Sequence, residues 1–132
     1  MLALGMLAAA LSACTVSDGD TINCSGERIR LVGIDAPDDP GNSRCRPVPK
    51  PGAVCDRRRA GESKAALQRA MVPPLAIARV GTDPYGRTLG MVYARGVSLS
   101  CRQIEAGMAA YVARWDNGYR VARECPRATI GR

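Results

Sequence analysis

The chain has 132 residues, the size of one domain with a real core, and its 19 lysines and arginines against 12 aspartates and glutamates give a net charge of +7. This excess of positive charge is compatible with an anionic partner, such as nucleic acid or a membrane surface. It is equally compatible with a charge whose only role is to keep the protein soluble. The absence of histidine excludes an imidazole base or zinc ligand, so any chemistry must use carboxylates, arginines, tyrosines or thiols.

The N-terminus and the cysteines indicate an exported protein. MLALGMLAAALSAC is apolar but too short for a membrane span and is typical of a signal peptide, so residues 1–13 are interpreted as a signal-peptide remnant without its basic start. Six cysteines without C-x-x-C spacing favour structural disulfides. We therefore expect a secreted or periplasmic bacterial protein.

Two processing events are compatible with this segment. Ala8-Ala9-Ala10 fits a small-x-small cleavage site, whereas Leu11-Ser12-Ala13-Cys14 fits a lipobox that would place a lipid on Cys14. Lipidation would leave five cysteines, an odd number, so the paired state of Cys14 is favoured.

The first half of the chain predicts strands and then a long loop. Asp18-Gly19 is a strong turn dipeptide within a hairpin over residues 13–24, and Ser25-Gly26 turns into a strand over residues 28–34. Residues 38–58 are rich in Pro, Gly, Arg and Asn and predict a surface loop.

The second half predicts helices around two more strands. Residues 61–71 are rich in helix formers and stop before Pro73-Pro74. Strands are predicted over residues 75–80 and 88–94. Ser100 and Gln103 have capping-box spacing at the start of a short helix that ends near Gly107, after which the chain becomes polar and irregular.

These elements predict an α+β, mainly β fold: a five-stranded OB-type barrel with two or three helices, stabilised by disulfides. The domain is expected to span residues 14–125, with a loop insertion at about 38–58 and a tail at 126–132. A first turn centred on Gly19 sets two cysteines opposite each other, and two more can close the long loop. The predicted pairs are Cys14 with Cys24, Cys45 with Cys55, and Cys101 with Cys125.

Charged residues accumulate where the strand over residues 28–34 ends. The two-residue loop before that strand returns Asp20 beside Arg30, while Asp35 and Asp38 follow the strand around Pro37. The three aspartates can therefore converge on one rim of the barrel. Carboxylate oxygens there suit a hard cation such as Ca²⁺, although each motif alone is also ordinary turn chemistry.

Three linked motifs resemble the staphylococcal-nuclease-like, or thermonuclease, domain family. They are DGDT at residues 18–21, IRLVGIDAPD at 29–38 and TDPYGR at 82–87, followed by the short helix before Met108-Ala109. The resemblance covers about residues 14–112. It implies an OB-fold nuclease that cleaves DNA and RNA with Ca²⁺ and leaves 3′-phosphate products.

The resemblance also implies a role for individual residues. Asp20, Asp35 and the backbone carbonyl of Ala36 would bind calcium. Arg30 and Arg87 would hold the scissile phosphate, since a planar guanidinium matches two phosphate oxygens and stays charged. The general base of the family is usually a glutamate, and its place is taken by Asp38, whose carboxylate lies about 1.5 Å further back.

Aromatic residues are candidates for contacts with a nucleotide. Tyr85 can lie against a sugar or base, and Tyr111 or Trp115 can form the other wall of a nucleotide pocket, with Trp115 equally suited to a place in the core. Pro84 stands where the prototype has a basic residue, so one phosphate contact is expected to be missing. The expected substrate is DNA or RNA, with single strands favoured, and the expected state is a monomer.

Two other functions remain open on the sequence. One is an OB module that binds nucleic acid through the same arginines without cutting it, which the shortened side chain of Asp38 favours. The other is a disulfide-stabilised envelope protein, lipidated or not at Cys14, that binds another protein and carries a vestigial site.

Overall fold

Short apolar alternations form nine strands in the computed structural model, which describes residues 8–130. Most strands have one face against the core and the other towards solvent, as period-2 alternation requires. They are β1 (Ala9–Leu11), β2 (Cys14–Asp18), β3 (Thr21–Cys24), β4 (Glu27–Leu31), β5 (Ile34–Asp35), β6 (Leu75–Thr82), β7 (Thr88–Ala94), β8 (Val97–Ser98) and β9 (Ala110–Tyr111).

Most of these strands form one curled mixed sheet, a half-barrel with the order β1-β6-β7-β4-β3-β2, and β8 pairs with β7. The pair β4 and β7 is parallel, and the other pairs are antiparallel. A separate antiparallel pair joins β5 to β9. The sheet and its helices confirm the expected α+β, OB-like fold.

The strands exceed the predicted five because one predicted strand is divided and several short ones were not foreseen. The strand expected over residues 28–34 is broken into β4 and β5 at Gly33, whose φ of +79° belongs to the left-handed region. A Cβ at this position would also lie 3.0 Å from a methyl carbon of Val121. The break turns the chain so that Asp35 is presented at the end of β5.

Four α-helices accompany the sheet in the described residues: α1 (Arg57–Ala70), α2 (Leu99–Glu105), α3 (Arg120–Glu124) and α4 (Pro126–Thr129). Two 3₁₀ turns, Ala113–Trp115 and Asn117–Tyr119, precede α3. Helix α1 begins four residues earlier than predicted, because the side chain of Asp56 accepts a hydrogen bond from Arg59 N and caps it. The preceding loop therefore ends at Asp56 and not at residue 58.

The predicted cap of α2 was wrong. The Ser98 hydroxyl accepts a hydrogen bond from Cys101 N, so Ser98 is the N-cap. Ser100 is buried inside the helix and donates to the Val32 carbonyl at 2.7 Å. Both serines lie near the helix start. Because Ser100 is buried and bonds to the Val32 carbonyl, Ser98 is the residue that caps the helix.

The core lies between the concave face of the sheet and the helices. With no phenylalanine in the chain, aliphatic residues and methionine fill it, as the composition requires. Its fully buried side chains include Ile22, Ile29, Leu31, Ile34, Leu67, Ile77, Met91, Leu99 and Ile104. Burial of this kind is the main stabilising contribution to the fold.

Three disulfides join the pairs that the sequence suggests. Cys14–Cys24 links β2 to β3, Cys45–Cys55 closes the long loop, and Cys101–Cys125 ties α2 to the end of α3. The first bond uses the Cys14 sulfur, which is the atom that a lipid anchor would need. Three disulfides indicate an oxidising environment of the extracellular or periplasmic kind.

The two ends of the chain are described only in part. Residues 1–7 of the predicted signal-peptide remnant lie outside the described residues, and β1 lies in its remainder and pairs with the start of β6. The predicted tail begins with α4, and residues 131–132 lie outside the described residues. Between residues 8 and 130, no helix is both long and apolar enough to cross a membrane.

Candidate functional site

The turn between β2 and β3 is held in place by a buried cluster of polar side chains on α1 and α2. Gln103 Nε2 on α2 donates hydrogen bonds to the Gly19 carbonyl at 2.8 Å and to the Ser63 carbonyl at 3.0 Å. Ser63 on α1 donates in turn to the Met108 carbonyl at 2.7 Å. A Cβ on Gly19 would lie 1.8 Å from Ser63 Oγ, so only glycine fits. Two helices therefore fix the turn that carries Asp20.

Asp20 is a buried carboxylate with a complete set of partners. Its Oδ1 accepts a hydrogen bond from the Thr21 hydroxyl at 2.9 Å, and its Oδ2 accepts one from Ala36 N at 2.8 Å. Arg30 Nη1 lies 3.4 Å from Oδ2. Burial acts to raise the pKa of Asp20, but the charge of Arg30 and these hydrogen bonds outweigh it and lower the pKa. Asp20 therefore carries a fixed negative charge.

Asp18, at the other side of the turn, has a raised pKa, whereas the pKa of Asp20 is lowered. Burial, together with a side-chain hydrogen bond and the negative charge of Asp20, raises the pKa of Asp18 to about 7. Its Oδ1 accepts a hydrogen bond from Asp20 N at 3.2 Å. Asp18 is thus protonated in a substantial fraction of molecules near neutral pH, whereas Asp20 is ionised.

Arg30 joins the turn to the end of β5. Its guanidinium lies 3.4 Å from Asp20 and 3.9 Å from Asp35, and its side chain is only 11% exposed. Alternation along β4 buries the flanking Ile29 and Leu31 in the core and leaves Arg30 on the other face. The structure thus brings Asp20, Arg30 and Asp35 together, as expected from the hairpin geometry.

Asp38 completes this group, which we call the acidic cluster: Asp20, Asp35 and Asp38. Asn42 Nδ2 donates to Asp38 Oδ1 at 3.0 Å, while Asp38 Oδ2 is buried and accepts no hydrogen bond within residues 8–130. Burial raises the pKa of Asp38, and the charges of Asp20 and Asp35 act in the same direction against Asn42 and Arg44. Asp38 is therefore a stronger proton acceptor than an exposed aspartate.

Arg44 is a member of the site that sequence reasoning missed. Its Nη1 donates to Asp35 Oδ1 at 2.6 Å and lies 3.4 Å from Asp38 Oδ2. Burial opposes the charged form of Arg44, but the hydrogen bond and charge of Asp35 outweigh it and raise the pKa of the guanidinium. The only signal in the sequence was the arginine-rich composition of the loop, which does not say which arginine turns inwards.

Arg87 stands apart from the acidic cluster. Its Nε donates to Asp83 Oδ2 at 2.7 Å, and its backbone N–H donates to Asp83 Oδ1, so its ion pair is local to the loop before β7. Arg30 is the register partner of Leu89, two residues beyond Arg87. The parallel ladder therefore sets the backbones of the two arginines about 7–8 Å apart.

The three predicted aromatic contacts differ in their surroundings. Tyr85 is 72% exposed, and Arg87 lies 5.6 Å from the centre of its ring. Tyr111 donates its hydroxyl to Asp116 Oδ2 at 2.7 Å, and burial together with that bond raises the pKa of Tyr111 to about 12. Trp115 is 37% exposed, so it does not belong to the core.

Trp115 instead faces the arginines of the site. The guanidinium carbons of Arg30, Arg44 and Arg114 lie 5.5, 5.9 and 5.1 Å from the centre of its ring. These are cation–π distances, and each contact favours the charged group. The indole of Trp115 therefore contacts the arginines that pair with the acidic cluster and lies beside that cluster.

Asp116 is a second residue that the sequence did not reveal. Its buried carboxylate accepts hydrogen bonds from the Tyr111 hydroxyl, from Val121 N at 2.9 Å and from Ala122 N at 3.0 Å. It thereby caps the start of α3 and anchors the 3₁₀ turn that carries Trp115. The neighbouring Asn-Gly suggests a turn, but nothing in the sequence shows what the carboxylate contacts.

The acidic cluster has the oxygen donors that suit a hard cation, but in this structure two arginines neutralise its negative charge. Between residues 8 and 130, no group of three or more carboxylate, thiolate or imidazole side chains is arranged to hold a metal ion. The guanidinium groups of Arg30 and Arg44 lie among the carboxylates, and Asp38 Oδ2 accepts no hydrogen bond. The oxygen donors are of the type that a hard divalent cation prefers, but an ion held by them would need one of these guanidinium groups to move away.

One comparison with known proteins identifies a family for this chain. The profile of one family, described as "Staphylococcal nuclease homologue", matches residues 28–128. The match includes β4, β5, the long loop, and the segments that carry Arg87 and Trp115, whereas the DGDT turn precedes it. A search of curated proteins finds no match. Because the profile covers more than half of the chain, the protein belongs to the staphylococcal nuclease homologue family.

Proposed function

We propose that this protein is a Ca²⁺-dependent nuclease that hydrolyses phosphodiesters of DNA and RNA and leaves 3′-phosphate products. Membership of the family indicates a nuclease-type function and binding of nucleic acid in general. The observation that supports the finer proposal is the meeting of Asp20, Arg30, Asp35 and Asp38 at one end of the sheet. This group combines anionic donors for a cation with a guanidinium for a phosphate.

Asp20, Asp35 and the Ala36 carbonyl would hold the calcium ion. Their oxygens are the ligand type that Ca²⁺ prefers, and Ala36 N already donates to Asp20 Oδ2, which keeps the two residues close. When bound, the ion supplies positive charge that offsets the charge growing on the phosphoryl oxygens. The low pKa of Asp20 keeps this ligand ionised.

Arg30 and Arg87 would hold the scissile phosphate. Arg30 is fixed by Asp20 and Trp115, so little side-chain entropy is lost when it binds an anion. Arg87 is oriented by Asp83 through one nitrogen, and the remaining donors of its fork suit non-bridging phosphate oxygens. Both groups stabilise the charge that increases on the phosphoryl oxygens in the transition state.

Asp38 would accept the proton of the attacking water. Its buried Oδ2 accepts no hydrogen bond within the described residues and would take one from water once Arg44, 3.4 Å away, has moved aside. The raised pKa of Asp38 makes it a better base than an exposed aspartate. An aspartate reaches about 1.5 Å less far than a glutamate. We therefore propose a slow enzyme whose rate is limited by this reach.

Single-stranded substrates are favoured in this proposal because their bases are free to stack on aromatic side chains. Tyr85 is exposed beside Arg87 and is the best placed of the three aromatic candidates. Trp115 and Tyr111 are engaged with arginines and Asp116, and in the proposal they form the wall of the nucleotide site. The protein acts as a monomer.

We further propose that the protein is secreted or periplasmic in a bacterium. The three disulfides support this location, since such bonds persist in oxidising compartments. Residues 1–13 are the proposed remnant of the signal peptide.

The test is cleavage of end-labelled single-stranded DNA by the oxidised protein, with Ca²⁺ or with EDTA. Arg87→Ala is compared with Arg79→Ala, a control that also removes an arginine from an ion pair, here with Glu27 on the sheet. We expect cleavage that requires Ca²⁺, falls about 10²-fold or more in Arg87→Ala and changes little in the control. Cleavage that persists in EDTA, or that Arg79→Ala reduces equally, would contradict the proposal.

One observation favours a second candidate, a module that binds nucleic acid without cutting it. Arg44 contacts Asp35 and Asp38, so the two carboxylates are partly neutralised as the protein stands. This candidate predicts binding that weakens steeply with salt, and no cleavage by the wild type. Cleavage by the wild type would exclude it.

A further inference from the structure

We propose that Arg44 is an internal cation that neutralises the acidic cluster in the calcium-free protein and that the incoming calcium ion displaces. The proposal rests on the calcium site described above and deepens it, because it names the residue that sets the affinity of that site. Arg44 belongs to the long loop and was not among the residues that the family resemblance pointed to.

The contacts of Arg44 are those of a competitor for the metal. Its Nη1 donates to Asp35 Oδ1 at 2.6 Å and lies 3.4 Å from Asp38 Oδ2. Calcium binds carboxylate oxygens at about 2.3–2.6 Å, so an ion bound to the Asp35 carboxylate would lie within a few ångströms of the Arg44 guanidinium. Two positive charges at that distance repel each other strongly in a partly buried site.

Of the two arginines in the cluster, Arg44 is the one that can leave. Arg30 projects from β4 within the sheet, and its side chain is 11% exposed. Arg44 projects from a loop, and its side chain is 28% exposed. Rotation about the side-chain bonds of Arg44 carries the guanidinium into solvent, where hydration replaces the lost ion pair.

The loop backbone can remain in place while the side chain moves. Arg44 N donates to Asn42 Oδ1 at 3.0 Å, and Lys50 N donates to the Arg44 carbonyl at 2.8 Å. The next residue, Cys45, is bonded to Cys55. The loop therefore keeps Arg44 beside the cluster, ready to return when calcium leaves.

A measurable consequence follows for calcium affinity. The wild type must break the contacts of Arg44 before calcium binds, and a neutral residue at this position removes that cost. Since charge-assisted hydrogen bonds are the strong ones, we expect Arg44→Gln to bind calcium roughly tenfold more tightly or better. The variant should also be less stable than the wild type in EDTA, because its carboxylates repel one another without a counter-charge.

The experiment is isothermal titration of Ca²⁺ into the oxidised, EDTA-treated and desalted full chain, together with thermal unfolding in EDTA and in excess Ca²⁺. Arg44→Gln is compared with Arg46→Gln, which removes one charge from the same loop at an arginine that bonds to the Pro40 carbonyl instead of the cluster. Arg44→Lys is the second variant. It keeps the charge but loses the planar fork, and we expect its affinity to lie between those of wild type and Arg44→Gln.

Tighter binding by Arg44→Gln, with Arg46→Gln close to wild type and a larger loss of melting temperature in EDTA than in Ca²⁺, supports the proposal. Equal affinities of wild type and Arg44→Gln would overturn the role of Arg44 and leave the calcium site standing. Equal tightening by Arg46→Gln would reduce the effect to net charge and overturn it too. No binding heat with wild type and both Arg44 variants would overturn the calcium site and the proposal together. If Arg44→Gln fails to fold in EDTA, wild-type affinity in Arg44→Lys would overturn the proposal.

Discussion

The side-chain amide of Gln103 donates a hydrogen bond to the carbonyl of Gly19, 84 residues earlier in the chain, and so joins helix α2 to the turn that carries Asp20. The bond is 2.8 Å long and buried, and the same nitrogen also bonds Ser63 on α1. A buried carbonyl without such a donor is destabilising. The position of the first carboxylate of the site therefore depends on three separate segments of the chain.

Gly19→Ala should destabilise the protein by about 2–4 kcal/mol, because the new Cβ would overlap Ser63 Oγ and force the turn away from α1. The matched control is Gly61→Ala in α1, where a Cβ has nothing within 4 Å. Since alanine favours helix, that variant should be about 0.5–1 kcal/mol more stable than wild type. Urea unfolding measures both, and a Gly19→Ala protein as stable as wild type would disprove this account of the turn.

Asp116→Ala should cost about 2–4 kcal/mol, because three hydrogen bonds to one buried carboxylate are lost and two helix N–H groups are left without their acceptor. The fluorescence of the single tryptophan reports the change locally, and its emission should shift to the red as Trp115 loses its support. Tyr111→Phe removes only one of the three bonds and should have a much smaller effect. An unchanged emission in Asp116→Ala would show that the turn carrying Trp115 does not depend on this carboxylate.

The stability of the protein should fall in acid partly through Glu27. Hydrogen bonds from Arg79 and Thr88 lower the pKa of Glu27 from 4.5 to about 2. A lowered pKa stabilises the folded state above the unfolded value, so this contribution is complete above about pH 4.5 and is lost as the pH falls towards 2.

Because the pair is partly exposed, we expect it to contribute about 1 kcal/mol and no more. Glu27→Gln should therefore lose stability at pH 6 and show a flatter fall between pH 5 and pH 2.5 than wild type, measured by urea unfolding across that range. The control Glu62→Gln removes an exposed partner of Arg58 in α1. If Glu27→Gln and Glu62→Gln follow the same pH curve, the pair with Arg79 is not the source of the effect.

Replacement of Cys45 and Cys55 by serine should lower the free energy of unfolding by about 2–3 kcal/mol, since that bond closes a loop of 10 residues. The bond between Cys101 and Cys125 spans 24 residues, and its removal should cost about 3–4 kcal/mol. Denaturant titrations of the two double-serine proteins measure the difference. The reverse order would mean that strain or residual structure, and not loop length, governs these bonds.

Asp38→Glu should increase the rate of DNA cleavage in Ca²⁺ several-fold, because the added methylene moves the carboxylate about 1.5 Å closer to the water that it activates. Asp39→Glu is the control, since Asp39 lies next in the chain but pairs with Arg57 at the surface. Initial rates at saturating Ca²⁺ make the comparison. A slower Asp38→Glu enzyme would show that the site is already adapted to the shorter base.

The sequence alone determined the class of the fold and the location of the loop, and it predicted that Asp20, Arg30 and Asp35 lie close together. Period-2 alternation around Arg30, and turn dipeptides at Asp18-Gly19 and Ser25-Gly26, are local features, and they fix which residues oppose one another across a hairpin. For the same reason the opposition of Cys14 and Cys24 could be derived from turn position. Asp20 followed because it lies next to the first turn, and Asp35 followed because it comes directly after the predicted strand that carries Arg30.

The tertiary structure decided what depends on contacts between distant segments. Ser98 and Ser100 fit the same capping pattern, and burial of Ser100 against the Val32 carbonyl selects between them. Nothing in the long loop distinguishes Arg44 from its neighbouring arginines, because only the closed loop brings one of them to Asp35. A hydrogen bond between residues far apart in sequence leaves no periodic signal, so these contacts appear only in the folded chain.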